Sequence, residues 1–137
     1  ALLFCFPGAP TVYYGDEAGM EGFEDPFNRR TYPWGQEDPH LVKWYAQLGA
    51  LRKKHQALRR GDIHYLPSSR TVLAFTRACE DEKLLCIFNA GDKPTRQPIP
   101  GLELPELLLG QADCYKMPRG LSVNMPPRSA AIFKMKL

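Results

Sequence analysis

Asp16 and Glu17 are two neighbouring carboxylates, and they are the first residues of this chain that could do chemistry. A pair of carboxyl groups can act as acid and base on the two sides of one scissile bond. If an extended segment continues through them, however, adjacent side chains point to opposite faces, so they cannot flank the same bond. We therefore expect no catalytic residue here.

The cysteines and histidines lack the spacing of a metal site. There is no Cys-x-x-Cys pair, and none of the three histidines stands at zinc-ligand spacing from a cysteine. Cys5 and Cys86 lie in apolar runs, where a free thiol behaves as a small hydrophobic side chain. The sequence predicts free thiols, no metal, no cofactor and a cytoplasmic location.

The charge pattern argues against nucleic acid and membranes as partners. The formal net charge is only +3. The basic residues Arg52–Lys54, with Arg59 and Arg60, could form a nucleic-acid patch, but the nearby aromatic residues fall on the buried face. A solvent-exposed helix end is therefore the preferred interpretation. No apolar run approaches the ~20 residues that span a bilayer.

The first 60 residues predict a strand, a long loop and a helix. Residues 10–14 are β-branched and aromatic and lie between Gly8 and Gly15, which is typical of a short strand. Residues 15–37 form a polar, glycine-rich and proline-rich loop, and such long loops are often functional. Asp38 and Pro39 then begin a helix that ends before Gly61. Its apolar face carries Leu41, Trp44, Tyr45, Leu48 and Leu51.

After residue 61 the apolar period changes from helical to alternating. Strands are predicted over residues 72–76, 83–89, 121–125 and 130–137. Residues 84–88 are apolar on both faces, so their strand should be central. Residues 130–137 should have one buried face, with Phe133 and Leu137, and one mostly solvated face. The pattern indicates an antiparallel sandwich.

Residues 7–34 resemble the α-amylase family of glycoside hydrolases. The similarity lies in Pro-Gly-Ala-Pro-Thr-Val-Tyr-Tyr-Gly-Asp-Glu (7–17), Asp-Pro-Phe-Asn-Arg (25–29) and Trp34. The Asp-Pro-x-x-Arg spacing is similar to that of the neopullulanase, cyclomaltodextrinase and maltogenic amylase branch. The Leu-Arg-x-x-x-x-Ala-Leu-Arg-x-Gly ending at residues 51–61 also fits a last barrel helix.

The resemblance implies a mixed fold: the last strand–loop–helix of a (β/α)₈ TIM barrel followed by an all-β antiparallel sandwich. Residues 1–60 would hold the end of helix 7, strand 8, loop 8 and helix 8, and residues 61–137 the C-terminal β-domain. The family cleaves α-glucosidic bonds with retention through carboxylates on barrel strands four, five and seven. Those groups would precede this chain, which is expected to be a C-terminal fragment, inactive alone.

Asp25 and Arg29 are the substrate-binding residues that the resemblance implies, because loop eight lies on the active-site face of a barrel. A guanidinium fork and a carboxylate can bind vicinal sugar hydroxyls. The alternative is a salt bridge that only orders the loop. Trp34 could stack on a sugar or pack locally, and Arg30 could replace Arg29 if the loop register differs.

The remaining motif residues are expected to be structural. They are Gly8, Pro10, Tyr13, Tyr14, Gly15 and Glu17, of which Glu17 would anchor the loop by hydrogen bonds. Tyr13 and Tyr14 should alternate between barrel interior and outer helices. Phe23 and Phe27 could be apolar walls for a sugar or a neighbouring subunit.

The expected partners are an α-glucan oligosaccharide, the upstream barrel of the same polypeptide and a second copy of the parent enzyme. An exposed apolar patch is therefore expected around Leu2, Phe4, Val12 and Trp44. One alternative is a sibling specificity: oligo-1,6-glucosidase, amylosucrase or α-amylase. Another is a non-catalytic β-domain for carbohydrate binding or oligomerisation, although residues 62–137 contain no Trp and few Tyr.

Overall fold

The computed structural model describes residues 1–136, and Leu137, predicted to extend the last strand, lies outside them. The helices are α1 (Leu2–Cys5), α2 (Pro39–Lys54) and α3 (Gln56–Arg60), with a single turn of 3-10 helix at Asp16–Ala18. The strands are β1 (Asp62–Tyr65), β2 (Val72–Cys79), β3 (Glu82–Asn89), β4 (Thr95–Pro100), β5 (Glu106–Gly110), β6 (Asp113–Met117), β7 (Gly120–Met125) and β8 (Ser129–Lys134). No helix within residues 1–136 is long and apolar enough to cross a membrane.

The strands form two antiparallel sheets. The larger has the order β1-β2-β3-β8-β5, and the smaller has the order β4-β7-β6. β3 is central, as the sequence predicted, and Leu84–Ile87 are fully buried within it. β4 contains Pro98 and Pro100, which lack backbone N–H groups. They are tolerated because β4 is an edge strand, hydrogen-bonded only to β7.

Two apolar clusters lie on opposite faces of the five-stranded sheet. One fills the space between the two sheets, where Leu85 and Ile87 meet Ile99, Val123 and Phe133. The other lies under the helices and is formed by Phe4, Cys5, Leu48, Ala57, Leu58, Phe75, Leu84, Cys86, Phe88 and Ile132. Side chains alternate along a strand, so β3 contributes to both clusters.

The prediction that one face of β8 is mostly solvated is wrong, because the helices pack on that face. Ile132 was expected on a mostly solvated face, but it is fully buried because α1, α2 and α3 cover that face. The same covering buries Phe4, whose ring packs edge-on against Tyr45 at 5.9 Å. The expected apolar patch is therefore smaller than predicted: Leu2 is exposed, whereas Val12 and Trp44 are half-buried.

The predicted helix is present but interrupted. Asp38 caps it as expected, since its Oδ1 accepts hydrogen bonds from the N–H groups of His40 and Leu41 at 2.8 and 3.3 Å. The helix breaks at His55, which has extended dihedral angles (φ −100°, ψ 113°). The Nδ1 atom of His55 lies 2.5 Å from the Oε1 atom of Glu82, and Oε2 accepts from the Ala57 N–H at 2.9 Å. Glu82, the first residue of β3, thus links the chain between α2 and α3 to the larger sheet.

The strand predicted at residues 10–14 is wrong. These residues are irregular, and no strand among residues 1–136 pairs with them. A single strand cannot satisfy its backbone groups without a neighbour. Of the barrel part that the sequence predicts, the structure therefore shows helices but no strand.

Candidate functional site

The long loop at residues 15–37 is held by a few hydrogen bonds near its ends. The Gly15 N–H donates to Glu17 Oε2 at 3.1 Å, and the Asp38 N–H donates to the Ala18 carbonyl at 3.0 Å. Asp16 and Glu17 lie in a 3-10 turn rather than a strand, so the argument from alternating strand faces does not apply to them. The Glu17 carboxylate is engaged by its own turn.

Asp25 and Arg29 form a two-point ion pair within this loop. Arg29 Nε lies 2.8 Å from Asp25 Oδ1, and Nη2 donates to Oδ2 at 3.2 Å. The two side chains remain 59% and 73% exposed. Because two contacts use only part of their capacity, guanidinium donors and carboxylate lone pairs still face solvent. The pair can therefore accept from and donate to adjacent hydroxyl groups of a ligand.

Arg30 occupies a different place from Arg29. Its guanidinium carbon lies 5.9 Å from the centre of the Phe23 ring, and its carbonyl accepts from the Tyr14 hydroxyl at 2.8 Å. Arg29 is thus the residue that pairs with Asp25, whereas Arg30 as a substrate contact stays a prediction. Arg30 contributes a cation–π contact that covers one face of Phe23.

The loop presents an unusual number of exposed aromatic rings. Trp34 is 82% exposed, and its ring lies 4.6 Å from that of Tyr32 with an interplanar angle of 51°. Phe23 and Phe27 are also exposed. Trp34 is therefore not a packing residue within this chain. The free face of its ring is available for stacking on a flat apolar surface such as a pyranose ring.

Tyr13 and Tyr14 do not take opposite sides as predicted. Both are exposed, and their ring centres are 4.9 Å apart. The prediction assumed a strand, where successive side chains alternate, and residues 10–14 form none. Pro10 belongs to the same irregular segment, half-buried.

The loop does not enclose a pocket of its own. The cleft that it forms beside Arg30, Glu21 and Gln36 has a volume of about 200 Å³. Small-molecule pockets are usually larger, roughly 300–1,000 Å³, and more enclosed. The loop has the form of one wall of a site rather than a complete site.

Two buried arginines at the base of the loop were missed by the sequence analysis. Arg52 was assigned to a solvent-exposed helix end, but it is only 9% exposed, and Arg77 of β2 is 1% exposed. The spacing carried a signal for both. Arg52 follows Leu48 by four residues on the buried face of α2, and Arg77 shares a strand face with Phe75.

The thiols and carboxylates do not assemble a metal centre. Within residues 1–136 no three His, Cys, Asp or Glu side chains converge as metal ligands. The four cysteines are free, and Cys5 and Cys86 are fully buried. Burial, helped by the charge of Asp113, raises the pKa of Cys114 to about 11, so this thiol is protonated at neutral pH.

Comparison with known proteins identifies the class of the chain. No protein-family model matches it. An amylopullulanase of Thermoanaerobacter thermohydrosulfuricus is 46% identical over 98 residues, which is 64% of this chain and 7% of that protein. A cyclomaltodextrinase of Geobacillus thermopakistaniensis is 33% identical over 139 residues, covering 96% of this chain and 24% of that protein.

The solved structures agree with these sequence relatives. The debranching enzyme of Nostoc punctiforme superposes on 98% of this chain with a TM-score of 0.88 and 33% identity, and the match covers 29% of that enzyme. The chain belongs to the α-amylase family of glycoside hydrolases. It spans about a quarter or less of the length of these curated relatives. Its β-sheet part matches the C-terminal domain of enzymes of the family.

Proposed function

We propose that the complete protein is a retaining glycosidase that hydrolyses α-1,4 glucosidic bonds, with α-1,6 bonds as the second candidate, in maltooligosaccharides, cyclodextrins or pullulan. The observation that carries this proposal is the exposed Asp25–Arg29 pair, set in a loop of exposed aromatic residues. The names of the relatives support the substrate class, since they include an amylopullulanase and a cyclomaltodextrinase.

In this proposal the chain binds substrate and does not supply the catalytic carboxylates. A retaining enzyme needs two carboxyl groups about 5 Å apart. Glu17 is bound to its own turn, and Asp25 is paired with Arg29. The nucleophile and the acid–base residue would come from the rest of the polypeptide, and residues 15–37 would form one wall of the cleft that they share.

The Asp25–Arg29 pair suits a neutral, hydroxyl-rich ligand. The carboxylate accepts from hydroxyl groups while the guanidinium donates to them, and the two charges cancel. A sugar that binds here therefore meets matched donors and acceptors without meeting a net charge. The exposed face of Trp34 adds a surface on which a further glucose ring could stack.

The test is to express the polypeptide from the complete reading frame and to compare Asp25→Asn and Arg29→Lys with the parent on cyclomaltodextrin and pullulan. Each hydrogen bond to a charged group is worth about 1.5–3 kcal/mol, so kcat/KM should fall by roughly tenfold or more. The loss should lie mainly in KM, as expected for a contact made in both ground and transition states.

A second ion pair of the chain provides the matched control. Asp92 and Arg128 are joined at 2.6 Å and are 75% and 77% exposed, at a turn of the β-domain far along the sequence from the loop. Asp92→Asn should leave kcat/KM unchanged. Equal effects of Asp25→Asn and Asp92→Asn would contradict a substrate contact at Asp25.

A further inference from the structure

Arg52 and Arg77 are buried positive charges without a carboxylate partner. The ion pairs of residues 1–136 join Arg29 to Asp25, His55 to Glu82 and Arg128 to Asp92, so neither buried arginine takes part in one. Removing an unpaired charge from water is costly. Burial lowers the pKa of Arg77, which is the signature of that cost.

The two guanidinium groups instead hold backbone carbonyls of residues 4–8. Arg52 donates to the Phe4 carbonyl at 2.7 Å, to the Phe6 carbonyl at 3.2 Å and to the Gly8 carbonyl. Arg77 donates to the Cys5 carbonyl at 2.5 Å and to the Gly61 carbonyl at 2.8 Å. Four carbonyls within five residues thus point at two side chains.

Residues 4–8 lie just before the part of the chain that enters the loop, so holding their carbonyls also constrains where the loop begins. Gly8 immediately precedes the segment that leads into the loop, and its φ of +95° is a conformation that glycine adopts readily. Arg52 lies on α2, which follows the loop, whereas Arg77 lies on β2 of the larger sheet. The segment that precedes the loop is therefore fixed both to α2, the helix that follows the loop, and to the β-domain.

Two further hydrogen bonds tie the loop to its flanking segments. Beyond Gly8, the Tyr14 hydroxyl donates to the carbonyl of Arg30, the residue after Arg29. At the far end, the Asp38 N–H donates to the Ala18 carbonyl. Residues 9–13 join residues 4–8 to Tyr14, so we expect a shift of residues 4–8 to reach Arg30, and with it Arg29, through the Tyr14 hydroxyl.

We propose that Arg52 and Arg77 form an arginine clamp, a pair of positioning residues through which α2 and the β-domain together hold the segment that leads into the loop carrying Asp25 and Arg29. The assignment of Asp25 and Arg29 to substrate rests on the function proposed above. The clamp itself touches no substrate and acts only through the backbone of residues 4–8. The β-domain thereby influences a site to which it contributes no side chain.

Arginine is required for this role because of its shape. A planar guanidinium presents five N–H donors in a rigid fork, so one side chain can span carbonyls on successive residues. Lysine keeps the charge but has a compact ammonium group. Arg52→Lys and Arg77→Lys therefore preserve charge while removing the fork, which makes them sharper tests than Arg52→Met or Arg77→Met, whose loss of a buried side chain endangers folding.

The first measurement is amide hydrogen exchange on this chain, with Lys53→Met as the control because Lys53 is an exposed neighbour of Arg52. In Arg52→Lys the Asp38 amide, which reports the docking of the loop on α2, should exchange about tenfold faster. The amides of β3 should keep their protection. Unchanged exchange at Asp38 in a folded Arg52→Lys variant overturns the clamp.

The second measurement uses the complete enzyme and separates positioning from stability. Arg52→Lys and Arg77→Lys should raise KM for cyclomaltodextrin by about fivefold, with little change in kcat, at a temperature where both variants remain folded. Unchanged KM alongside faster exchange at Asp38 would limit the arginines to a structural role and overturn the positioning proposal.

The two proposals can fail separately. If the parent enzyme has no activity on α-glucans, the proposed function is wrong, while the exchange experiment still decides whether the arginines hold the loop. If the parent is active and both lysine variants behave as the parent does, only the clamp is wrong.

Discussion

Strand β3 and the loop at residues 15–37 both contain large apolar side chains but bury them in opposite ways. Leu84–Ile87 of β3 are fully buried, whereas Phe23, Phe27 and Trp34 of the loop are exposed. The mere presence of large apolar side chains does not explain the contrast. β3 has β2 and β8 on its two sides. The smaller sheet covers one of its faces and the helices cover the other, whereas Phe23, Phe27 and Trp34 belong to neither apolar cluster.

The contrast shows that different forces hold the two regions. β3 is held by apolar burial and by ladder hydrogen bonds along its whole length. The loop is held at a few points by polar contacts, such as the Asp38 N–H to the Ala18 carbonyl. Truncating an apolar side chain should therefore destabilise the first region strongly and the second hardly at all.

The largest expected effect is that of Ile87→Ala. Ile87 is fully buried between the sheets, so the variant should lose about 3 kcal/mol of unfolding free energy through lost burial and the cavity that remains. Phe27→Ala, which deletes a larger but exposed side chain, should change it by less than about 0.5 kcal/mol. Urea unfolding of both variants measures the difference. Similar losses would contradict the view that the loop aromatics are unpacked.

A glycine of the same sheet as β3 and a glycine of the loop give the next comparison. At Gly110 of β5 (φ +98°) a Cβ atom would lie 1.9 Å from the Ala130 carbonyl oxygen, whereas at Gly35 of the loop (φ +77°) it would meet nothing within 4 Å. Gly110→Ala should therefore cost at least about 2 kcal/mol, and Gly35→Ala only the roughly 1 kcal/mol of the left-handed backbone. Urea unfolding again measures both. An equal cost would mean that the close approach at Gly110 can relax.

Patterns among neighbouring residues were sufficient to predict where the helix begins, which strand is central and that the sheets are antiparallel. The Asp38 cap depends on residues within one turn, and the run at residues 84–88 is apolar on both faces because both faces are covered. The sequence did not predict β4, because its two prolines are unfavourable in a strand and are tolerated only at an edge. It did not predict β5, because a bulge between Leu107 and Leu109 interrupts the alternation of its side chains.

The errors have a common physical origin in contacts between distant parts of the chain. The strand predicted at residues 10–14 depends on partner strands that a local pattern cannot reveal. Ile132 is buried by helices 70 or more residues earlier in the chain. Arg52 was placed in solvent with the rest of its basic run, yet its donors reach carbonyls 44–48 residues away. The Asp25–Arg29 spacing, by contrast, is local, and the structure has the two side chains in contact.

Glu82, at the boundary between the helices and the sheet, should give a smaller, pH-dependent effect. Burial raises the pKa of this carboxyl, but hydrogen bonds from the Ala57 N–H and His55, with the charge of Lys134, outweigh it and hold the pKa below its ordinary value of 4.5. Since the folded-state pKa is lowered, the stabilisation is present above pH 4.5 and is lost as the pH falls through the folded-state value.

Glu82→Gln should therefore cost about 1–2 kcal/mol of unfolding free energy at neutral pH, and the cost should shrink at a pH below 4.5. The measurement is urea unfolding at both pH values, with Glu80→Gln as the control at an exposed position of the same turn. A cost that is the same at both pH values would show that the charge of Glu82 contributes nothing to stability.

The smallest expected effect on stability concerns the Asp25–Arg29 pair, and it distinguishes a binding site from a structural contact. The backbone of this turn is already hydrogen-bonded, since the N–H groups of Phe27 and Arg29 donate to the carbonyls of Glu24 and Pro26 at 2.9 and 3.1 Å. An exposed ion pair adds little to such a turn, about 0–1 kcal/mol. Asp25→Asn should therefore change the unfolding free energy by less than about 0.5 kcal/mol, as should Asp92→Asn at the other exposed pair.

Amide exchange at Phe27 and Arg29 decides the remaining alternative, a salt bridge whose only role is to order the loop. If the pair orders the turn, Asp25→Asn should increase exchange at both amides, since local opening would then need less free energy. If the pair serves to bind sugar hydroxyls, exchange should stay at the level of the parent while kcat/KM on cyclomaltodextrin falls. Only the second outcome leaves Asp25 and Arg29 as substrate-binding residues, because it separates the loss of activity from any change in the loop.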